Sequence, residues 1–253
     1  MKRVVYDIET AMNVGGYFGP TWDVNIAKVI QRGFVLGFAW KYVDKPRIYS
    51  CYIWDFPRYK KEPRNDIEVV KKWAEVMSDP DLSLRIGQNS DSFDDKVMYG
   101  RLLIHNLPPL ALGPSADTKK MVKKIARFDS NKLDDLAEQF GYGKKIKTDV
   151  DLWWDSMMGV KRAQRDMVKY NKRDVEITEK VYLHLLPHSK NHPNMAVITN
   201  QPDVCRTCGK NEGFVLNGFD YTRTGQYRRF KCKACYANNR ARRAEKGVNP
   251  DYV

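Results

Sequence analysis

No apolar run in this chain approaches the ~20 residues that a bilayer-spanning helix needs, and Met1-Lys2-Arg3 leads straight into a β-branched stretch instead of a leader's apolar segment. A membrane span and a secretory signal are therefore not expected, and the reading is a soluble protein of the cytoplasm. Cysteine is sparse, five in 253 residues, so a disulfide-built scaffold is excluded. There is no internal repeat and no low-complexity tract. Acids are outnumbered, 31 against 44 basic residues, for a net charge of +13. That balance favours a polyanionic partner, most simply a phosphate backbone, although a merely soluble basic surface would give the same number.

What is present is enough for one substantial core with a small appendage: 42% hydrophobic residues over 253 positions, with 12 Pro. The charge is uneven. Residues 201–253 hold 11 Lys and Arg against 5 Asp and Glu, while residues 1–200 hold 33 against 26. Four of the five cysteines also lie in this last fifth, as Cys205-x-x-Cys208 and Cys232-x-x-Cys235 with 23 residues between the pairs. That spacing is a four-cysteine zinc ribbon, and so short a segment has too little core to fold without its metal. No His lies between Cys208 and Cys232, which removes an HNH-type catalytic centre. Cys51, in the apolar run around Ile48 to Ile53, reads as a buried free thiol.

Four carboxylates sit where charge should be costly. Arg3 to Thr10 reads as a strand, and alternation places Asp7 and Glu9 on one face about 6 to 7 Å apart. Two desolvated like charges on a central strand repel each other unless a cation lies between them; an exposed first strand with two solvated acids is the bland alternative. The second stretch, 84–95, runs from a strand through a polar turn to Phe93-Asp94-Asp95, where the acids could simply cap the helix that follows. The third stretch, from Asp166 to Leu183, has helical periodicity, with Asp174 in its apolar stripe one turn after Tyr170. A boundary Asp paired with a neighbouring Lys would look similar. A metal ligand beside a water-orienting hydroxyl would need this arrangement.

The order Asp-x-Glu, Asn-x-x-x-Phe-Asp, Tyr-x-x-x-Asp resembles the DEDD superfamily of 3′ to 5′ exonucleases in its tyrosine (DEDDy) branch, that of the proofreading domains of family A and B DNA polymerases. The histidine branch would need His at position 169, which is Lys169. Stretches at 22–26, 116–119, 130–133, 143–148, 151–153 and 192–194 are further similar to phage-encoded proteins that join an RNase H-like exonuclease domain to a zinc ribbon.

The resemblance implies an α/β protein with an RNase H-like mixed five-stranded sheet flanked by helices, plus the C-terminal ribbon. It also implies two Mg²⁺ or Mn²⁺ ions about 3.5 to 4 Å apart, with one structural Zn²⁺ in the cysteine set. Asp7 would bridge both ions, Glu9 and Asp174 would complete the water-activating site, Asp94 would help hold the second, and Tyr170 would orient the water. Only the spacing from Phe93 favours Asp94 over Asp95. Thr10, Met12, Asn89 and Phe93 would touch substrate or its surroundings. Lys144, Lys145 and Lys147 would meet the entering strand, and Arg228, Arg229, Arg240, Arg242 and Arg243 would contact phosphates. The expected reaction is hydrolysis of DNA from single-stranded or 3′ ends to nucleoside 5′-monophosphates. A ribonuclease of the same fold and an inactive nucleic-acid-binding adaptor are the alternatives. A protein partner in a replication or repair complex is open, and the compartment would be the host-cell cytoplasm if the chain is phage-encoded.

The expected organisation is an exonuclease domain over 1–188, a linker over 189–203, a ribbon over 204–236 and a basic, helical tail over 237–253. Within the first part, residues 15–31 read as a long loop or short helix, and 33–42 with 47–54 as a hairpin. Helices are expected over 67–77, 95–104, 131–140 (capped by Ser130) and 164–186. Residues 143–151 read as a loop, and Asp117 as a helix start. Removing the ribbon is expected to weaken nucleic-acid binding and spare hydrolysis of short oligonucleotides.

Overall fold

The computed structural model describes residues 1–20, 25–143, 146 and 148–247. Its centre is a five-stranded sheet whose strands, from edge to edge, are 48–52, 35–42, 2–10, 82–87 and 115–117. β1 (Lys2–Thr10) is the middle strand, antiparallel to β4 (Val35–Tyr42) and parallel to β6 (Leu82–Gly87). β5 (Ile48–Tyr52) closes one edge antiparallel and β7 (Ser115–Asp117) the other in parallel. This is the mixed, helix-flanked sheet expected from the sequence.

Both faces are covered, as the apolar run in β1 requires. Val4, Tyr6 and Ile8 pack with Phe38, Trp40 and Trp73 in one core. That side carries α1 (Ile67–Met77) and α2 (Asp94–Ile104). Val5 looks the other way, into a second core with Leu84, Ile86, Val175, Val181 and Leu185. There lie α3 (Thr118–Ile125), α4 (Leu133–Gln139) and α6 (Lys161–Leu185), which crosses β1, β4, β5 and β6. By alternation Asp7 and Glu9 share the side of Val5, at the far end of the strand.

Four local expectations need correction. The described part of 15–31 is not helical: β2 (Val14–Tyr17) and β3 (Ile26–Gln31) pair as antiparallel strands. Gly15 permits it, because a Cβ there would meet Ile26 Cγ2 at 2.8 Å. Residues 150 and 151, expected in a loop, open the helix α5 (Val150–Met157). Ser130 accepts a bond from the Lys132 amide, yet helix α4 starts at Leu133 with Lys132 at its cap. The tail is not helical where it is described, for β10 (Asn238–Arg240) and β11 (Lys246–Gly247) pair with β9 (Gly225–Cys232) on the edge that β8 (Phe214–Tyr221) leaves open. Edge pairing satisfies β9's backbone groups, which outweighs the helical propensity of an Ala- and Arg-rich segment.

Residues 189–203 carry a short helix, α7 (Met195–Ile198), whose Met195 is fully buried. His192 Nε2 lies 2.9 Å from the Tyr182 hydroxyl of α6. The cysteine segment packs into the second core directly, since Cys205, Cys208 and Cys232 belong to it.

Candidate active site and metal centre

The C-terminal half of β1 presents Asp7, partly buried, and Glu9, 6% exposed. Each is held by a neutral donor from a distant helix. The Asn171 amide donates to Asp7 Oδ2 at 2.7 Å and to the Asp7 carbonyl at 3.2 Å. Asn171 itself is fully buried and accepts the Tyr52 hydroxyl at 3.0 Å. The Trp153 indole N–H donates to Glu9 Oε2 at 3.0 Å, and its ring meets that of Tyr170 edge-on at 5.4 Å. Burial, then the charges of Glu9 and Asp7, push the Tyr52 phenol well above its ordinary pKa, so it remains a hydroxyl donor. From sequence, no role is assigned to Asn171, Trp153 or Tyr52; the signals were the 151–153 stretch that ends in Trp153 and an amide beside Tyr170 on the helix's inner side.

Asp94 and Asp95, adjacent in sequence, do different things. Asp95 is taken up by the fold: Arg85 donates to its Oδ2 at 2.7 Å and the buried Tyr6 hydroxyl to its Oδ1. Asp94, 3% exposed, accepts the Ile8 amide at 3.1 Å, between the two β1 acids. Burial pushes its carboxyl up to about 7, with Asp95 and Asp117 adding repulsion against the backbone N–H groups that favour the anion. Asp174, 3% exposed, lies on α6 one turn after Tyr170 and three residues after Asn171. Strand β1 and helices α2, α5 and α6 thus converge on one end of the sheet.

Asp117 serves as the N-cap of α3, accepting from the amides of Lys119 and Lys120, and also receives the Asn89 amide at 3.1 Å. Asn89 has φ of +62°, a left-handed conformation that Asn tolerates. Its side chain takes a bond from Lys119 Nζ at 3.2 Å. Phe93, at the cap of α2, is 45% exposed, and Thr10 and Met12 are half-buried just beyond Glu9. Lys144, Lys145 and Lys147 lie outside the described residues, as do residues 22–24.

At the other end of β1 the four thiols converge. Cys205 and Cys235 Sγ are 3.7 Å apart, Cys208 and Cys232 Sγ 3.9 Å apart, and all four lie within 4.8 Å of one another. A tetrahedron with Zn–S of about 2.3 Å has edges near 3.8 Å, so the set fits Zn²⁺ and is far too open for disulfides. Cys51 is a separate buried thiol in β5, its pKa raised to about 12 by burial. Among the described residues the carboxylates are not drawn together as tightly as these thiols.

The ribbon's arginines are partly engaged: Arg228 pairs with Glu245, Arg229 donates to the Asn217 carbonyl at 2.9 Å, and Arg240 stacks 4.6 Å from the Tyr227 ring centroid. Arg242 and Arg243 are exposed. All five sit with the cysteines, whose Gly209 loop abuts Met1, and not beside Asp7.

Fold and site define an α/β protein with a mixed five-stranded sheet, helices on both faces and a four-cysteine module that could hold zinc. Its architecture is similar to that of the family B DNA polymerase from the hyperthermophilic archaeon Pyrobaculum calidifontis, with a TM-score of 0.52 and 18% identity. The match covers 74% of this chain and 26% of that one, so the chain spans about a quarter of the polymerase. No family model matches the sequence, and no curated protein does. At this identity the likeness is one of fold. No helix among the described residues is long and apolar enough to cross a membrane.

Proposed function

We propose that this protein is a metal-dependent 3′ to 5′ exonuclease of the tyrosine branch, hydrolysing DNA to nucleoside 5′-monophosphates. What supports the reading is that contacts through Ile8, Asn171 and Trp153 tie Asp7, Glu9, Asp94 and Tyr170 to one end of a sheet similar to that of a family B polymerase, with Asp174 one turn along α6 from Tyr170. An oxygen-only donor set suits a hard cation such as Mg²⁺ or Mn²⁺. The buried Asp94 carboxyl, reluctant to ionise by itself, fits the same demand.

Asp7, Glu9 and Asp174 would hold one ion and Asp7 with Asp94 a second. When bound, they supply Lewis acidity to the scissile phosphate and acidify a ligated water. The protein's own part is positioning. Asn171 fixes the rotamer of Asp7, and the Trp153 indole fixes Glu9 and the Tyr170 ring together. The Tyr170 hydroxyl then accepts a bond from the attacking water and sets its line of approach, while Thr10, Met12 and Phe93 border the terminal nucleotide. The zinc module takes no part in the chemistry.

The test is digestion of 5′-labelled DNA and RNA strands by zinc-loaded protein with Mg²⁺ or Mn²⁺. Stepwise shortening from the 3′ end is expected, with DNA preferred, and Asp7→Ala should slow it at least about a thousandfold. Failure to shorten either polymer, or equal digestion by Asp7→Ala, sinks the proposal. Binding of both polymers without digestion would favour the adaptor reading.

A further inference from the structure

Helix α3 joins the two ends of the molecule. Its first turn, capped by Asp117, touches Asn89 through Lys119 and lies close enough to Asp94 for Asp117 to repel it. Its last residue, Ile125, lines a cavity of about 600 Å³ whose opposite wall is the ribbon. The eight residues between span ~12 Å. Met121 and Val122 are buried in the second core, which turns Lys119, Lys120, Lys123 and Lys124 outward at i, i+1, i+4 and i+5, a single stripe. The cavity continues the stripe with Lys190 on one wall and Arg229 and Arg240 on the other. Two acids answer part of this charge: Asp91 pairs with Lys120 at 2.7 Å and Asp220 lies 3.9 Å from Arg240. Lys123, Lys124 and Lys190 are exposed and have no ion-pair partner among the described residues.

Cations strung in a line are matched by a polymer of evenly spaced anions better than by a single small one. We infer that the α3 stripe and the inter-module cleft form a track for the phosphodiester backbone of single-stranded nucleic acid, holding it at a distance from the acid site. The inference deepens the exonuclease reading, on which it rests for the placement of the strand's 3′ end at Asp7. It assigns the ribbon a concrete role: one wall of the remote grip.

The experiment is anisotropy binding of zinc-loaded full-length protein to oligothymidylates of about 4 and about 16 nucleotides, the range of single-strand site sizes, without added Mg²⁺ or Mn²⁺. Lys123→Ala/Lys124→Ala/Lys190→Ala is compared with the parent at matched zinc content and thermal midpoint. The longer strand should bind the parent more tightly than the shorter. The triple variant should lose at least about tenfold for the long strand, within about twofold for the short one, and its salt slope should fall by about 2. Equal losses at both lengths, no loss at either, or a parent indifferent to length would each overturn the track. Because no digestion is involved, the track can fail with the exonuclease intact, and an inactive protein can still show it.

Discussion

Ionisable groups gather at both ends of β1, thiols at one and acids at the other, and the two gatherings are built differently. The thiols close to 3.7 and 3.9 Å across each pair and sit largely buried in the second core. Around the acids, neutral donors do the holding: the Asn171 amide, the Trp153 indole and the Ile8 backbone N–H. A closed set suits a structural cation that nothing else must reach, whereas acids held apart leave coordination positions for substrate and water. One strand therefore carries a closed end and, on the proposed reading, a reactive end.

The largest effect should come from the closed end. Cys205, Cys208 and Cys232 share a core with Val5, Leu84, Val181 and Tyr182, and the Met195 amide donates to the Arg206 carbonyl at 2.7 Å. Structural zinc contributes ~10–16 kcal/mol in isolated fingers, and a zinc held by these thiols would pass that stabilisation to the sheet. Cys232→Ser, or chelation of the metal, should lower the thermal midpoint of the helical circular dichroism signal by more than about 10 °C, in one transition with the rest of the chain. Truncation before 204 should likewise uncover Leu185, Leu186 and Met195 and destabilise the whole. That outcome would run against the expectation of a removable ribbon. A zinc-free protein whose helices melt where the parent's do would restore that expectation.

Period and spacing were sufficient for much of this architecture. The two-residue step from Asp7 to Glu9, the stripe through Tyr170 and Asp174, the helix over Ile67–Met77 and the paired cysteines are all local patterns, and the structure contains each. Other features depend on contacts across the chain. Asn171 meets Asp7 across 164 residues and Trp153 meets Glu9 across 144, and no local pattern marks such partners. The distinction between Asp94 and Asp95 rests on Arg85 and Tyr6 lying beneath the second. Three-residue β7 is too short for a period to show, and β10 is a strand only because β9 has an open edge.

If the acid end depends on its neutral donors, weakening them should cost activity without unfolding the chain. Partners one step behind metal ligands are worth about 10–100-fold in metal affinity or activity. Asn171→Ala removes the donor to Asp7, and Trp153→Phe removes only the N–H that reaches Glu9. Both should raise the Mg²⁺ concentration for half-maximal DNA digestion, Asn171→Ala more, since its amide binds Asp7 twice. A metal requirement unmoved in both variants would mean that these groups merely fill space, and the contrast with the thiol end would lose its basis.

The smallest effect runs in the opposite direction. Asp94 has its carboxyl pushed up to about 7 by burial, so between its ordinary range near 4 and that value the folded chain holds a proton which the unfolded chain has released. Stability therefore falls as pH rises through this window, and the deficit is complete above about 7. Asp94→Asn keeps an oxygen for the Ile8 amide and removes the charge. Without divalent ions it should melt higher than the parent at pH 8, by about 2–4 °C for a gain on the order of 1 kcal/mol, and the difference should vanish as pH falls toward 4. Mg²⁺ should then raise the parent's midpoint and leave the variant's nearly unchanged, because only the parent offers the ion a fourth carboxylate. A parent that melts higher than Asp94→Asn at pH 8 without metal would show the Asp94 carboxylate to be stabilising in its own right, and the acid end would then be as closed as the thiol end.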